Sequence, residues 1–498
     1  MKIFFFLLIV FLGARAIGQT GKIIDATTGE SIPYANIQFN ETQSLISNTE
    51  GFFSLSETDN GDNAVLVISY LGYATSQLTV GELKAGQLTV KLQPSVYELD
   101  EVHVSKLPSA NAIMAEVKKN LIRNYGAKGL ITENSVFMRE SNSFVGKQLN
   151  VEIDESTGFS KDALKSVNKE LAAFTSRLIS HPPKEYTDML CNYYKAPHKT
   201  AAPYKLNVVK ATKLTDESRS ASLEGLQKSA TNLLLKHLDT IKYYRIKSGW
   251  FGSRDTVSLR KDFNKKKNQK LKNENESAKT KLTNFSAENS LLSTSFDFIH
   301  DTDSYDYKYE GTVYLNDGNF AYVLTFAPDR SKAKYTGKLY ISQVDFGVLR
   351  ADYSLAEGKK LDGFNMKLLL GVKVSENFRK GTIIYKQSPS GEGYYLQYAL
   401  REEGQYIYLN RPLKFIELSE SEKDVVAFDL KVEGNILEKT EYLNLSRNEI
   451  TEGEYDHVTE NNFQYLRIKQ YDPKIWKGYS AIEPLEEMKR YKVTDEMP

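Results

Sequence analysis

A single cysteine in 498 residues, Cys191, excludes two kinds of chemistry at the outset. It cannot close an internal disulfide, and it cannot supply the several thiolates of a structural zinc site. Net charge is equally scarce: 65 Lys+Arg stand against 64 Asp+Glu, a formal +1. No global charge therefore argues for nucleic acid or an anionic membrane surface as the main partner. Histidine is sparse as well, at six (His103, His181, His198, His237, His300 and His457). No two of them stand at i, i+4, so the helical H-E-x-x-H zinc arrangement is absent. No G-x-S-x-G elbow, P-loop or dinucleotide glycine fingerprint occurs. What is present describes a folded protein: 41% hydrophobic, 11% aromatic and 26% charged residues, in a chain long enough for about three domains.

The one long apolar run lies at the start. Lys2 followed by Ile3 to Leu12 has the form of a secretory signal, with small-residue cleavage sites at Ala14-Arg15-Ala16 and Ala16-Ile17-Gly18. Cleavage before Gln19 is preferred, which makes 1–18 the signal peptide. The run is too short to span a bilayer, which takes about 20 apolar residues, and no later stretch approaches that length. Cys191 is far from the cleavage site, so no lipid anchor is expected. The expected location is outside the cytoplasm: periplasm, outer-membrane periphery or secreted.

From Gly21 to Leu92 short alternating strands are separated by turns at Asn48-Thr49-Glu50-Gly51 and Asp59-Asn60-Gly61-Asp62-Asn63, the pattern of a small antiparallel sandwich. The blocks Gly21-Lys22-Ile23-Ile24-Asp25, Ile32-Pro33-Tyr34-Ala35-Asn36-Ile37 and Thr49-Glu50-Gly51-Phe52-Phe53-Ser54-Leu55 carry a resemblance to the carboxypeptidase regulatory-like domain. Leu66-Val67-Ile68-Ser69-Tyr70-Leu71-Gly72-Tyr73 and Glu98-Leu99-Asp100-Glu101-Val102-His103-Val104 continue it. The resemblance implies a transthyretin-like seven-stranded sandwich at the N-terminus of an exported Bacteroidetes protein, and it brings no catalytic residues. The same module precedes outer-membrane receptors, but a barrel of about 22 strands would need more chain than follows here.

Residues 94–108 read as a linker and 109–253 as a mixed helical and β segment. Ile113, Val117 and Leu121 mark one helix, ended by Gly126. Leu164, Val167, Leu171, Phe174 and Leu178 mark a second over 160–180, and a third is expected over 222–241. Residues 254–290 read as a basic polar linker or loop: 254–281 hold ten Lys/Arg against four acids. That charge could meet phosphates, but Phe263 is its only aromatic, and a solvated loop is the preferred reading. From 291 to 498 the pattern turns to β, with strands expected at 309–315, 320–326, 338–341, 347–355, 364–374, 381–386, 394–400, 405–409 and 425–432 and a polar tail behind them. Many strands in sequence without helices between them imply one large antiparallel sheet that curls. Tyr307-Lys308-Tyr309-Glu310-Gly311, Ala321 to Phe326, Tyr335 to Ile341, Ser135 to Glu140 and Tyr193 to Pro197 are similar to blocks in exported Bacteroidetes proteins with the same N-terminal module. The helix-and-sheet order also resembles the half-barrel of periplasmic lipoprotein carriers of the LolA type, an analogy of fold alone.

Candidate chemistry is thin. His457-Val458-Thr459-Glu460 is an H-x-x-E with no third ligand. Asp297, Asp301, Asp303 and Asp306 surround His300, but the calcium-loop glycine and closing glutamate are missing. Cys191 lies in an apolar stretch and is expected to be a buried small hydrophobe. The 31 tyrosines include Tyr406 and Tyr408 on one strand face and Tyr394, Tyr395 and Tyr398 on both. They serve packing, or they line a concave face for an acyl chain or sugar.

The expectation is a mainly β (α+β) exported envelope protein without catalytic, cofactor-binding or metal-ligating residues. Its sandwich is an interaction module, and its curled sheet is a scaffold or hydrophobic-ligand binder. The partners expected are envelope proteins or an outer-membrane receptor, or lipid or glycan, but not nucleic acid. A hydrolase acting on envelope or dietary polymer is the rival. The neutral total also conceals an asymmetry, since 20–105 hold three lysines against eleven acids while 254–281 are strongly basic.

Overall fold

The computed structural model describes residues 20–39, 43–56, 61–95, 108–126, 129–157, 160–199, 202–215, 243–248, 251–258, 273–315, 319–391, 393–418 and 425–492. The expected signal peptide, the helix over 222–241 and the centre of the basic stretch, 259–272, lie outside them.

Seven short strands build the N-terminal sandwich: β1 (Thr20–Asp25), β2 (Asn36–Phe39), β3 (Gln43–Ile46), β4 (Phe52–Ser54), β5 (Val65–Ser69), β6 (Ser76–Thr79) and β7 (Thr89–Leu92). One layer runs β4-β1-β7 and the other β3-β2-β5-β6. The expected all-antiparallel pattern fails at one place, because β7 runs parallel to β1. The short helix α1 (Val80–Ala85), held by a Thr79–Glu82 capping box, carries the chain from one layer to the other in place of a hairpin.

The rest of the chain is built around one large sheet. Its strands are β8 (Thr132–Ser156), β9 (Lys184–Lys195), β10 (Tyr204–Thr215), β11 (Tyr243–Ser248), β12 (Phe251–Ser258), β13 (Tyr305–Tyr314), β14 (Phe320–Pro328), β15 (Tyr335–Ser342) and β16 (Val348–Leu355). They continue with β17 (Gly363–Met366), β18 (Val372–Gln387), β19 (Tyr394–Glu417), β20 (Val425–Glu449) and β21 (Leu466–Ile468). The pairings run β21-β10-β9-β8-β20-β19-β18-β16-β15-β14-β13, antiparallel except for β21 on β10. No described pairing joins β13 to β21, so the sheet stays open.

Several expected strands merge. Residues 394–400 and 405–409 are parts of the single strand β19, and 425–432 opens the 25-residue β20. Charged residues that read as strand ends stay in the ladder because their neighbours neutralise them: Lys380 meets Glu402 at 3.0 Å, and Arg379 pairs with Glu403. The expected strand 364–374 is instead broken by one helical turn, Lys367–Leu370. Gly371 ends that turn at φ 64°, where a β-carbon would fall 2.0 Å from the Asn410 carbonyl oxygen. The basic stretch is not wholly a loop either, because residues from Glu274 onward are helical.

Both faces of the sheet are covered. On one, Val136, Met189, Cys191, Ala399 and Tyr442 pack against the helix α2 (Glu274–Glu288) through Ala278, Leu282 and Phe285. Leu324, Leu339, Ala351 and Ile383 pack against the helix Ala110–Tyr125. The helix Lys161–Ser180 covers Phe428 and Leu430, which share the Tyr442 face of β20 by their even spacing. On the other face Phe137, Leu190, Tyr398, Leu400, Leu443 and Leu445 share one core with the sandwich residues Ile37, Leu45 and Ile68 and with Trp476 and Ile482 of the C-terminal segment. The sandwich is thus packed onto the sheet.

Candidate functional site

The seam between sandwich and sheet is built from side chains of both. Arg350 on β16, 8% exposed, donates from Nη1 to the Tyr70 hydroxyl at 2.7 Å and from Nε to Asp352 at 2.8 Å. Its guanidinium lies over the rings of Tyr34, Tyr70 and Tyr340 at 5.3–5.7 Å. Tyr34 adopts φ 62°, an uncommon backbone state for a side chain of this size, and that conformation sets its ring 5.3 Å from Tyr398 of β19. Gln397 donates to Asn36 at 2.7 Å, and Lys386 donates to Ser44 at 3.0 Å. The C-terminal segment straps the sandwich from outside. Asn48 donates to the Glu483 carbonyl at 3.1 Å, and the Ser54 hydroxyl meets the Glu483 carboxylate.

Where the sandwich ends, the same sheet face opens into a cleft of about 580 Å³, bounded by Thr49 of the sandwich and by Leu485, Glu487 and Met488. Its lining carries Arg139, Lys184, Lys380 and Lys439 among Glu402, Glu403, Glu438, Glu441 and Glu487. Most of these charges are paired, while burial raises the pKa of Glu438. Arg139 grips Asp188 with two hydrogen bonds of 2.8 and 2.7 Å, both side chains almost fully buried. Burial works against the guanidinium's charge, yet the Asp188 carboxylate, with Glu441 farther off, raises the arginine's pKa overall. Lys380 meets Glu402 at 3.0 Å, Lys439 meets Glu441 at 3.5 Å, and Lys184 pairs with Glu487. Glu441 also accepts from the Tyr398 hydroxyl at 3.1 Å. Between these pairs Phe378 (40% exposed) and Leu437 (38%) form an apolar shelf. Such a floor can hold an extended segment by apolar contact ringed by polar groups.

A smaller void of about 360 Å³ opens on the opposite, helix-covered face, between the end of α2 and strands β15, β16, β18 and β19.

The residues singled out from sequence are dispersed. His457 Nδ1 contacts the Gly453 carbonyl at 2.6 Å, while Glu460 accepts from the Leu206 amide at 2.8 Å and from Lys279 at 3.1 Å. Asp297 accepts from Tyr305 at 2.5 Å, and burial raises its pKa. Asp301 pairs with Lys332 at 2.7 Å, while Asp303 and Asp306 are exposed. Among the described residues no group of three His, Cys, Asp or Glu converges as metal ligands. Cys191 is fully buried, and burial pushes its thiol pKa well up. His300 contacts the Leu291 carbonyl at 2.9 Å, and His103 and His237 lie outside the described residues. Tyr398 and Tyr442 are spent on packing, whereas Tyr406 and Tyr408 carry lysines over their rings, Lys373 at 5.2 Å and Lys367 at 4.0 Å. Sequence reading passed over Arg139, Asp188, Arg350 and Phe378. Each is a single residue in a strand, and its partners come from other strands, as Asp188 of β9 does for Arg139 of β8. No described helix is long and apolar enough to cross a membrane.

Comparison with solved structures finds a DUF1329 family protein from Desulfovibrio piger, 11% identical over 70% of this chain and 98% of that one, with a TM-score of 0.18. It also finds the MucA/MucB complex of Pseudomonas aeruginosa (8% identity, 69% and 99% covered, TM-score 0.15). A third is a membrane-associated protein of unknown function from Bacteroides fragilis (10%, 85% and 97% covered, TM-score 0.12). At such scores they carry no argument about this chain. No curated protein matches it. Residues 19–104 do match a family model, that of the CarboxypepD_reg-like domain, and the N-terminal sandwich is similar to that family.

Proposed function

We propose that this is a non-catalytic, exported protein of the cell envelope whose seam cleft holds a polypeptide segment of another envelope protein. The observation that carries the reading is the cleft floor, where the exposed Phe378 and Leu437 are ringed by Lys380–Glu402 and Lys439–Glu441 pairs. An apolar centre with a charged, internally balanced rim is the anatomy of a protein interface. An acyl chain would find only a short shelf there, and its remaining length would lie against ion pairs. The sandwich then acts by completing the cleft wall through Thr49, as part of one binding unit with the sheet.

The test is site-specific photocrosslinking in intact cells, with the crosslinker placed at Phe378, at Leu437 and, as control, at the exposed edge-strand residue Tyr309. Discrete protein adducts are expected at the first two positions alone. Adducts no larger than a lipid, or the same pattern at Tyr309, would overturn the reading.

A further inference from the structure

The second cavity has a different chemistry from the cleft and lies on the other face of the sheet. Its lining is mainly polar, with three largely buried rings at its edge: Tyr353 stands 5.4 Å from Phe296 at 71° and 5.5 Å from Tyr335 at 87°. Between them lie two guanidiniums and two carboxylates. Arg401 donates to Glu288 at 2.6 Å and lies 3.3 Å from Glu403, which also pairs with Arg379. The lining is therefore balanced in charge and rich in both donors and acceptors.

Three of its polar atoms lack a hydrogen-bond partner, the ion-paired Glu403 Oε1 among them. Asn289, 1% exposed, spends its Nδ2 on the Phe285 carbonyl at 2.8 Å, while its buried Oδ1 meets no donor. The Nε of Arg379 is likewise buried without an acceptor. Leaving such atoms unmatched is costly, and proteins ordinarily match them with protein, water or ligand. Unmatched acceptors and a donor lining one mainly polar void ask for a ligand rich in hydroxyl groups. The balanced charge disfavours an anion, and the volume is at the small end of the range of about 300–1,000 Å³ common for small-molecule sites.

We propose that this cavity binds a neutral pyranose sugar, free or as the terminal unit of a glycan. Asn289 Oδ1 and Arg379 Nε would hydrogen-bond its hydroxyls, and the edges of Phe296 and Tyr353 would border it. The site is independent of the seam cleft, since no residue lines both except Glu403 at their shared strand.

Saturation-transfer NMR on the full-length protein tests this with glucose, galactose, mannose and N-acetylglucosamine, with glucuronate as the charged control. At least one neutral sugar should bind. Asn289→Ala should weaken that binding about tenfold, the scale of one lost buried hydrogen bond. Ser295→Trp, placed at the exposed rim, should abolish it without disturbing the core. Phe378→Ala, in the seam cleft, should leave it unchanged, which separates failure here from failure of the interface reading. Binding of no sugar, preference for glucuronate, or indifference to Ser295→Trp would each overturn the proposal.

Discussion

Arg350 of the large sheet donates to the hydroxyl of Tyr70 in the N-terminal sandwich at 2.7 Å, a bond between residues 280 positions apart. Arg350→Met should lower the thermal midpoint by about 2 °C, corresponding to about 2 kcal/mol for a charge-assisted hydrogen bond lost with its ring contacts. Arg350→Lys should recover less than half of this, because an ammonium cannot reach Tyr70 and Asp352 together from the centre of three rings. Calorimetry of the two variants decides it, and equal midpoints would refute the pinning role.

The Arg139–Asp188 pair lies at the cleft floor with almost no solvent contact. Asp188→Asn should cost about 3–5 kcal/mol, since it strands a buried cation. Arg139→Met combined with Asp188→Leu should recover most of that loss, because neither charge is then stranded. Urea unfolding of the single and double variants measures the coupling. Additive losses would show that the two side chains stabilise the fold separately.

Lys195 offers a pH test. Burial, helped by the nearby Arg447 charge, pulls its pKa down to about 8 from the ordinary lysine value. Between pH 8 and the unfolded value of about 10.4 the unfolded chain binds the extra proton, so protonation favours unfolding and the native state gains stability as pH rises through this window. Lys195→Met should therefore be more stable than the parent at pH 7, with the advantage shrinking to nothing above about pH 10.4. Urea midpoints at pH 7, 9 and 10.5 check the trend. A constant difference would exclude this lysine as its source.

Cys191 should be unreactive in the folded protein. Its sulfur is fully buried with a raised pKa, so a thiol reagent should report close to zero thiols natively and one after denaturation. Cys191→Ala should cost about 1–2 kcal/mol, the loss expected when one buried heavy atom is removed beside Val136 and Met189. Rapid native labelling would contradict the observed packing.

Much of the local structure was legible. The helix over Lys161–Ser180 follows from Leu164, Val167, Leu171 and Leu178 recurring at helical spacing, with Ser160 capping its start. The sandwich strands follow from alternation and turn residues, which depend only on neighbours a few positions away. The length of β8, β19 and β20 was not legible. Runs such as Arg401-Glu402-Glu403-Gly404 look like strand ends until Lys380 and Arg379 arrive beside them from β18. Nor was Lys367–Leu370 legible as a helical turn, because the apolar residues around it suit a strand equally well.

The candidate sites divide along the same line. Sequence alone determined the class of the fold, the resemblance of the first module and the shortage of thiols and paired histidines, because each depends on composition or on spacing within a short stretch. Only the tertiary structure decided that the module is packed onto the sheet, that Arg350 meets Tyr70, and that Phe378 stands exposed among paired charges. Those contacts join residues of different strands, up to 280 positions apart, and the register of long strands sets them. No local pattern encodes that register.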